Sequence, residues 1–489
     1  MLQLSEKNAS VVNFLCESTN PKVIAKAEEL EARYFQWKGY KRKPKKTFVH
    51  SFNVILTFVE VFNGYRPDYW LRIVTDNNLF SGKTIRSTEF TSELKTAILY
   101  LRKVGYLKKQ DGVRHRKDSS KKKVRKPKWL PFAYTITDKW RSEIFNEPQS
   151  NDSEIIRNHL APYIVLRDTK KRTNNKGKRE KYKVFIPITK DHRDENADLF
   201  KRTSSVLQAH DELISRTNIT LGTEHISSSQ AYLRRIFSRN SFDLGGRLYC
   251  AMQNKESKTR KYLRFDGDPT IEIDYSGIHP SMLYMQKGMN FDPDIAYTVK
   301  GFEREDVKIA FNILINSGSN SREASKKTVS DNLGITQKQA TKLIDGIYAA
   351  NEPISEYFNN KNYGLRLQRI DSDIALEIVD HFINVLRRPI IPIHDSFIVS
   401  VRDTEDLKLL MVDVYKKIGG IELHPEAWTN GIKATSLPFS KELMSAINEC
   451  FEGYTEHMND EYWDTLFSKE PIQECLEDSN QYEEDAEDS

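Results

Sequence analysis

Cysteine is scarce: Cys16, Cys250, Cys450 and Cys475 are the four in 489 residues, and they lie far apart with no paired spacing. That argues against a disulfide scaffold or a cysteine-based zinc site and fits a reducing compartment. Long apolar runs are missing as well. No 18 consecutive apolar residues occur, so no transmembrane span is expected. The opening MLQLSEKNAS has no basic-then-apolar leader, so no secretory signal is expected, and a cytoplasmic setting is the default. What remains is an ordinary composition, 38% hydrophobic and 29% charged, with length for two or three domains.

The net charge of +6 conceals a segregation. Lys441–Ser489 holds 16 acidic residues against two lysines, and Leu101–Leu130 holds 13 Lys/Arg against two Asp. A basic body with an acidic tail is common in proteins that handle nucleic acid. Charge alone leaves open a merely solvated basic loop and a plain solubilising tail.

Along the chain, the first 49 residues are helical in flavour and end in the basic linker YKRKPKK. Phe52–Phe62 is apolar and helix-like, and Asp68–Val74 is a second short apolar segment. Thr91 opens a third helix with Leu94, Ala97, Ile98 and Leu101 on one face, stopped by Gly105. A strand at Tyr106–Lys109, a basic loop, a return strand at Ala133–Thr137 and a helix from Asp138 follow. The segments LKTAILYLRKVGYLKK and FAYTITDKWRSEI resemble a winged helix over residues 50–149. That resemblance implies helix Thr91–Val104 in a major groove and a wing whose Lys121, Lys122, Lys123, Arg125 and Lys126 contact phosphates. A winged helix used for protein contact is the bland alternative. Residues 150–228 offer two β-like runs and a helix but no readable chemistry; a thumb-like or DNA-gripping region is left open.

The chemistry lies in residues 229–440. TIEID ends a short strand on Asp274, and IIPIHDSFIVSV reads as two apolar strands meeting at His394-Asp395-Ser396. Acids so placed are costly unless paired or metal-bound. Two of them can converge on a pair of divalent ions and serve an in-line phosphoryl displacement. Between them, Val307, Ala310, Phe311 and Leu314 share one helix face, while Arg304, Lys308, Asn312 and Asn316 recur on an adjoining stripe suited to a triphosphate. A solvated amphipathic helix would more naturally mix acids into that stripe.

Here the sequence resembles the palm-and-fingers polymerases of the DNA polymerase I (family A) and single-subunit phage RNA polymerase type. Asp274-Tyr275-Ser276-Gly277-Ile278 is similar to their DYSxI motif, Arg304 and Lys308 to RxxxK, and His394-Asp395 to the closing HD. Gly246-Arg247-Leu248 and Gln368 with Asp373-Ile374 keep the family's order. The resemblance implies an α+β fold: a right hand with an antiparallel palm sheet and helical fingers and thumb, behind the winged helix. It implies Asp274, Asp395 and the Tyr275 carbonyl as ligands of two Mg2+ ions, Mn2+ being a possible substitute. Lys308 then meets the incoming phosphates and serves as general acid. Arg304 grips the outer phosphates, His394 and Gln368 lie near the primer terminus or the duplex minor groove, and Arg247 touches template or primer backbone.

Departures fall at the sugar and base positions. His279 stands where family A DNA polymerases have the Glu that gates against ribose, and Asn312 replaces an aromatic, closer to family B. A bulky His279 ring can still exclude a 2′-hydroxyl. The expectation is a DNA-directed DNA polymerase without proofreading, from a phage or mobile replicon, acting on a DNA template-primer and nucleoside triphosphates. RNA polymerase or primase activity is the alternative, followed by a non-catalytic replication initiator or a two-acid nuclease. No protein partner is legible. Residues 441–489 are expected to be a terminal helix and acidic tail.

Overall fold

Local capping explains where the first elements start. After a short strand β1 (Cys16–Ser18), Asn20 accepts the Lys22 N–H and Pro21 fills the first turn of α1 (Pro21–Lys38), which Gly39 ends in left-handed conformation. Helix α2 (Val49–Val61) is buried at all eleven residues from Ser51 onward, as an all-round apolar helix must be. Two of its buried polar side chains, Asn53 and Glu60, are met by main-chain groups. Asn53 accepts the Ser18 N–H and donates to the Ser18 carbonyl, both at 2.9 Å. Glu60 accepts main-chain N–H groups of Gln149 and Ser150, while burial pushes its carboxyl above the usual range. The computed structural model describes residues 15–419 apart from 43, 63, 66–70, 73–90, 111–132, 174–178, 276, 290 and 318–319. All of these belong to one unit, Met1–Pro438; the other unit is Phe439–Ser489.

Strand β2 (Leu71–Arg72) precedes α3 (Ser92–Lys103), which is capped by Thr91 and buries Leu94, Ala97, Ile98, Tyr100 and Leu101, the face set by its sequence period. Strands β3 (Leu107–Gln110) and β4 (Ala133–Ile136) pair antiparallel and complete a three-stranded sheet in the order β2-β4-β3. Thr137 then caps α4 (Asp138–Glu143), whose Trp140 is fully buried. Helices α1, α2 and α3 share one core with Tyr106, Leu107, Tyr134, Ile136 and Trp140. The expected wing residues Lys121, Lys122, Lys123, Arg125 and Lys126, and the acidic tail, lie outside the described residues.

Strand β5 (Ile155–Arg157) turns back to pair with β1. A long hairpin, β6 (Ile164–Thr173) and β7 (Arg179–Ile186), leads to α5 (Ala197–Ile214). After the small hairpin β8 (Ile219–Leu221) and β9 (Glu224–His225) come β10 (Arg234–Ser238) and β11 (Ser241–Tyr249). These give a four-stranded sheet, β11-β10-β6-β7, parallel only between β10 and β6. Strand β12 (Leu263–Phe265) and β13 (Asp268–Asp274) are followed by helices α6 (Ile278–Met285), α7 (Arg304–Ile315), α8 (Arg322–Leu333), α9 (Gln337–Ala350) and α10 (Tyr363–Asp380). The chain then adds β14 (Ile391–Ile393), β15 (Ser396–Ser400) and α11 (Thr404–Val414). A six-stranded sheet results, β14-β15-β13-β12-β8-β9, antiparallel at every junction. The architecture is mixed helix and sheet. Among the described residues no helix is long and apolar enough to cross a membrane.

Candidate active site

The site begins with strand alternation. Strands β13 and β15 pair from Thr270 opposite Ser400 to Asp274 opposite Ser396. Ile271, Ile273, Phe397 and Val399 therefore share one buried face, while Glu272, Asp274 and Ser396 share the other. Ser396 donates to Glu272 at 2.8 Å, and Glu272 takes two bonds from Arg260, at 2.9 and 2.7 Å.

Two residues, His394 and Asp395, connect β14 to β15. His394 has φ +62°, the sign a type II′ turn needs at its first position, where glycine is usual. Holding a histidine there costs about 1–3 kcal/mol. The turn sets Asp395 beside the end of β13, where the Tyr275 N–H donates to the Asp395 carbonyl at 3.3 Å. The His394 ring stands edge-on to Tyr249 with centroids 5.4 Å apart. Burial, then the Arg247 charge, hold its pKa below the usual value, and its Nδ1 is buried with no hydrogen-bond partner.

Asp274 is the most perturbed acid of this face. Desolvation, then repulsion from Asp395 and Glu272, raise its pKa to about 7. Its surface is open to solvent at the strand end, which partly screens the repulsion. Like charges crowded at a solvent-open edge fit a divalent cation. Tyr275 turns its side chain away: the ring is buried and the hydroxyl donates to the Met411 carbonyl at 2.6 Å. Only its main chain is available to the carboxylates.

The next layer is a buried ion cluster. Gly277, at φ +68°, precedes α6; a Cβ there would lie 2.8 Å from the Phe291 ring. His279 thus sits in the first turn, and its Nε2 is 2.7 Å from Asp371 Oδ2. Arg247 binds the same oxygen through Nε at 3.0 Å and Nη2 at 2.5 Å. Burial opposes the Arg247 charge, but Asp371 outweighs it and holds the guanidinium above its ordinary range. Gly246, at φ +85°, lets β11 approach α10: a Cβ would meet Phe237 at 2.8 Å and Ser372 Oγ at 2.9 Å.

Gln368 lies one turn before Asp371 on α10 and is half-buried. Asp373, expected with it, pairs with Arg369 and with the buried Arg235, 2.5 Å away. Burial lowers the Arg235 pKa to about 10 against the pull of Asp373. Ile374 is core.

Helix α7 buries Val307, Ala310, Phe311 and Leu314, the face expected from the sequence. Asn312 is exposed. Arg304 and Lys308 flank the Tyr297 ring, at 5.5 and 5.9 Å from its centroid. Lys308 reaches Glu305 at 2.9 Å and Arg304 reaches Asp294 at 3.4 Å. Among the described residues no cation is ion-paired with Asp274 or Asp395. The structure therefore brings Asp274, the Tyr275 main chain and Asp395 together, and links Arg247 to His279 through Asp371; Arg304 and Lys308 stand with Tyr297 instead.

Asp371, Glu272 and Arg260 escaped the sequence reading. Asp371 had a signal: with Gly364, Leu367, Ile374 and Ile378 it falls on the buried stripe of α10, where an acid needs a partner. Glu272 shares a face with Asp274 by simple alternation. Among the described residues, one group of three His, Cys, Asp or Glu brings ligand atoms within 4.8 Å of each other, and it lies elsewhere: Glu17, His50 and His159.

No family model and no curated protein matches the sequence. Among solved structures, the POL domain of Pol1 from M. smegmatis, in complex with DNA primer-template and dNTP, is 12% identical with a TM-score of 0.29. The match covers 47% of this chain and 51% of that one, so the chain spans about half the length of that structure. A likeness at this score carries no argument.

Proposed function

We propose that the chain is a template-directed nucleotidyltransferase, in the first place a DNA-directed DNA polymerase without proofreading. One observation carries the reading: Asp274 and Asp395 meet beside the paired ends of β13 and β15 with no cation ion-paired to either among the described residues, and their mutual repulsion helps raise the Asp274 pKa. In this reading the six-stranded sheet is the palm, helices α7 to α9 are the fingers, residues 150–228 are thumb-like or DNA-gripping, and residues 50–149 are a DNA-binding winged helix.

Asp274, Asp395 and the Tyr275 carbonyl would hold magnesium or manganese, which supplies charge neutralisation at phosphorus for an in-line displacement. The chain's own groups do the rest. Arg304 and Lys308 lie on the outer stripe of α7 beside Tyr297, where they bind phosphate oxygens, and the Lys308 ammonium gives its proton to the departing pyrophosphate. The His279 ring, held at 2.7 Å by Asp371, is a fixed wall against a 2′-hydroxyl. Arg247 is committed to Asp371 and acts first by holding that wall, then by presenting its positive charge to the nucleic-acid backbone.

The test is extension of a primed DNA template with magnesium and separate dNTP and rNTP pools. Extension is expected, and its loss in Asp274→Ala and in Asp395→Ala. DNA cleavage without extension would overturn the reading in favour of a nuclease. DNA binding without either activity would favour the initiator reading, and extension from rNTPs alone the RNA-synthesising one.

A further inference from the structure

Far along the chain from the carboxylate pair, three side chains from three segments face each other. Glu17 belongs to β1, His50 to the first turn of α2, and His159 follows β5. His50 Nδ1 is 2.9 Å from Glu17 Oε2, and His159 Nδ1 is 3.1 Å from Glu17 Oε1. The two imidazole rings lie 4.3 Å apart by centroid. We propose that Glu17, His50 and His159 form a binding site for a divalent transition-metal ion of the zinc class.

Three observations lead there. The first is the donor set. Two imidazole nitrogens and one carboxylate suit zinc, cobalt or nickel, whereas magnesium prefers oxygen alone. The second is spacing. With metal–ligand bonds of about 2.0–2.1 Å, tetrahedral coordination separates donor atoms by about 3.3 Å. The nitrogen–oxygen distances, 2.9 Å to Glu17 Oε2 and 3.1 Å to Glu17 Oε1, are each within a few tenths of an ångström of that separation, and one ligand atom from each of the three residues lies within 4.8 Å of the others.

The third is preorganisation. Glu17 lies opposite Ile156 in the β1–β5 pair, and the Asn158 N–H donates to the Leu15 carbonyl at 2.5 Å, which fixes the segment leading to His159. The His159 N–H itself donates to Glu17 Oε1 at 3.1 Å. Asn53, one turn after His50 on α2, is bonded twice to the main chain of Ser18, next to Glu17. Main-chain bonds therefore hold all three ligand-bearing segments before any ion arrives. Glu17 is 14% exposed and His50 24%, while His159 is 61% exposed and leaves the entry side open. Three protein ligands leave a fourth position for water. An ion here would clasp the first strand, α2 and the segment after β5 together.

The test uses the full chain, stripped with chelator and titrated with Co2+. Expected are one equivalent bound with visible d–d absorption, displacement by Zn2+, and a rise in Tm on adding Zn2+. His159→Ala removes the most exposed ligand with least risk to folding and should weaken Co2+ binding about tenfold or more and abolish the Tm rise. His50→Ala and Glu17→Gln should do the same where circular dichroism shows a native fold. An Asp274→Asn/Asp395→Asn double variant should keep the signal. Three results would each overturn the site: no Co2+ binding by the wild-type chain, an unchanged titration in His159→Ala, or loss of the signal in the double aspartate variant.

Discussion

Replacing Asp371 by asparagine is the sharpest perturbation of the candidate active site. Asp371 is 2% exposed and serves two partners at once, Arg247 through bonds of 3.0 and 2.5 Å and His279 at 2.7 Å. Removing one member of a buried ion pair typically costs about 3–5 kcal/mol, because the other charge is left buried and unpaired. Asn keeps the shape and one carbonyl acceptor but turns an N–H2 toward Arg247 or His279. The lower end, about 3 kcal/mol, is therefore expected, or roughly a hundredfold in the folding equilibrium. Urea denaturation of the full chain measures it. A double-mutant cycle with Arg247→Leu separates the pair from the unpaired charge: the double variant should recover part of the loss. Extension kinetics give a second readout. With His279 no longer held, rNTP use should rise relative to dNTP use in Asp371→Asn, in the same direction as in His279→Ala. Stability within about 0.5 kcal/mol of wild type, with additive double-mutant energies, would refute the cluster as a unit. An unchanged rNTP-to-dNTP ratio in both variants would remove His279 as the sugar gate.

Asp274 makes stability depend on pH. Its folded pKa of about 7 lies above its ordinary 3.8, so its contribution is fully present below about 4 and is lost as pH rises through 7. In EDTA the urea midpoint should fall across that window; Asp395→Asn should flatten the fall, and identical pH profiles would count against the repulsion. Gly246→Ala forces a Cβ into φ +85° against Phe237 and Ser372 and should cost about 2–5 kcal/mol in urea unfolding; an unmoved midpoint would show that β11 and α10 can part. Replacing Lys121, Lys122 and Lys123 by Ala should lower the slope of log K against log salt for DNA binding by about 2–3, and an unaltered slope would mean that these lysines touch no phosphate.

How much of this was written in the sequence varies with the range of the interaction. Helix α7 was legible because Val307, Ala310, Phe311 and Leu314 repeat at the helical period, which packing preserves. The hairpin around His394 and Asp395 was legible because two polar residues break an apolar run at turn length. Asp371 was harder, since Arg366 to Asp373 carries two arginines and then two aspartates, and only its place on the buried stripe of α10 separates it from its neighbours. Arg235 gave no local sign at all: a strand arginine reads as surface until Asp373, on a helix more than a hundred residues later, is packed against it. Glu17 and His159 are 142 positions apart and meet because β1 pairs with β5, while His50 joins them because α2 is bonded to β1 through Asn53 and Ser18; no local period encodes either contact. Periodicity reports what an element does with its own faces. It is silent on which distant element supplies a partner.

That distinction bears on why Asp274 and Asp395 retain their charge. Basic side chains are not lacking around them; each is already committed. Arg247 is bound to Asp371 and Arg260 to Glu272. Arg247 pulls the Asp274 pKa down, but by less than burial, Asp395 and Glu272 push it up. Had either arginine been unpaired, it could swing to the strand ends and neutralise the acids at little cost. For Arg247 the swing would leave the buried Asp371 unpaired, at a cost of about 3–5 kcal/mol, while Arg260 is held by both oxygens of Glu272. The distant pairs that the sequence conceals are thus what keeps the two legible aspartates open to an incoming cation.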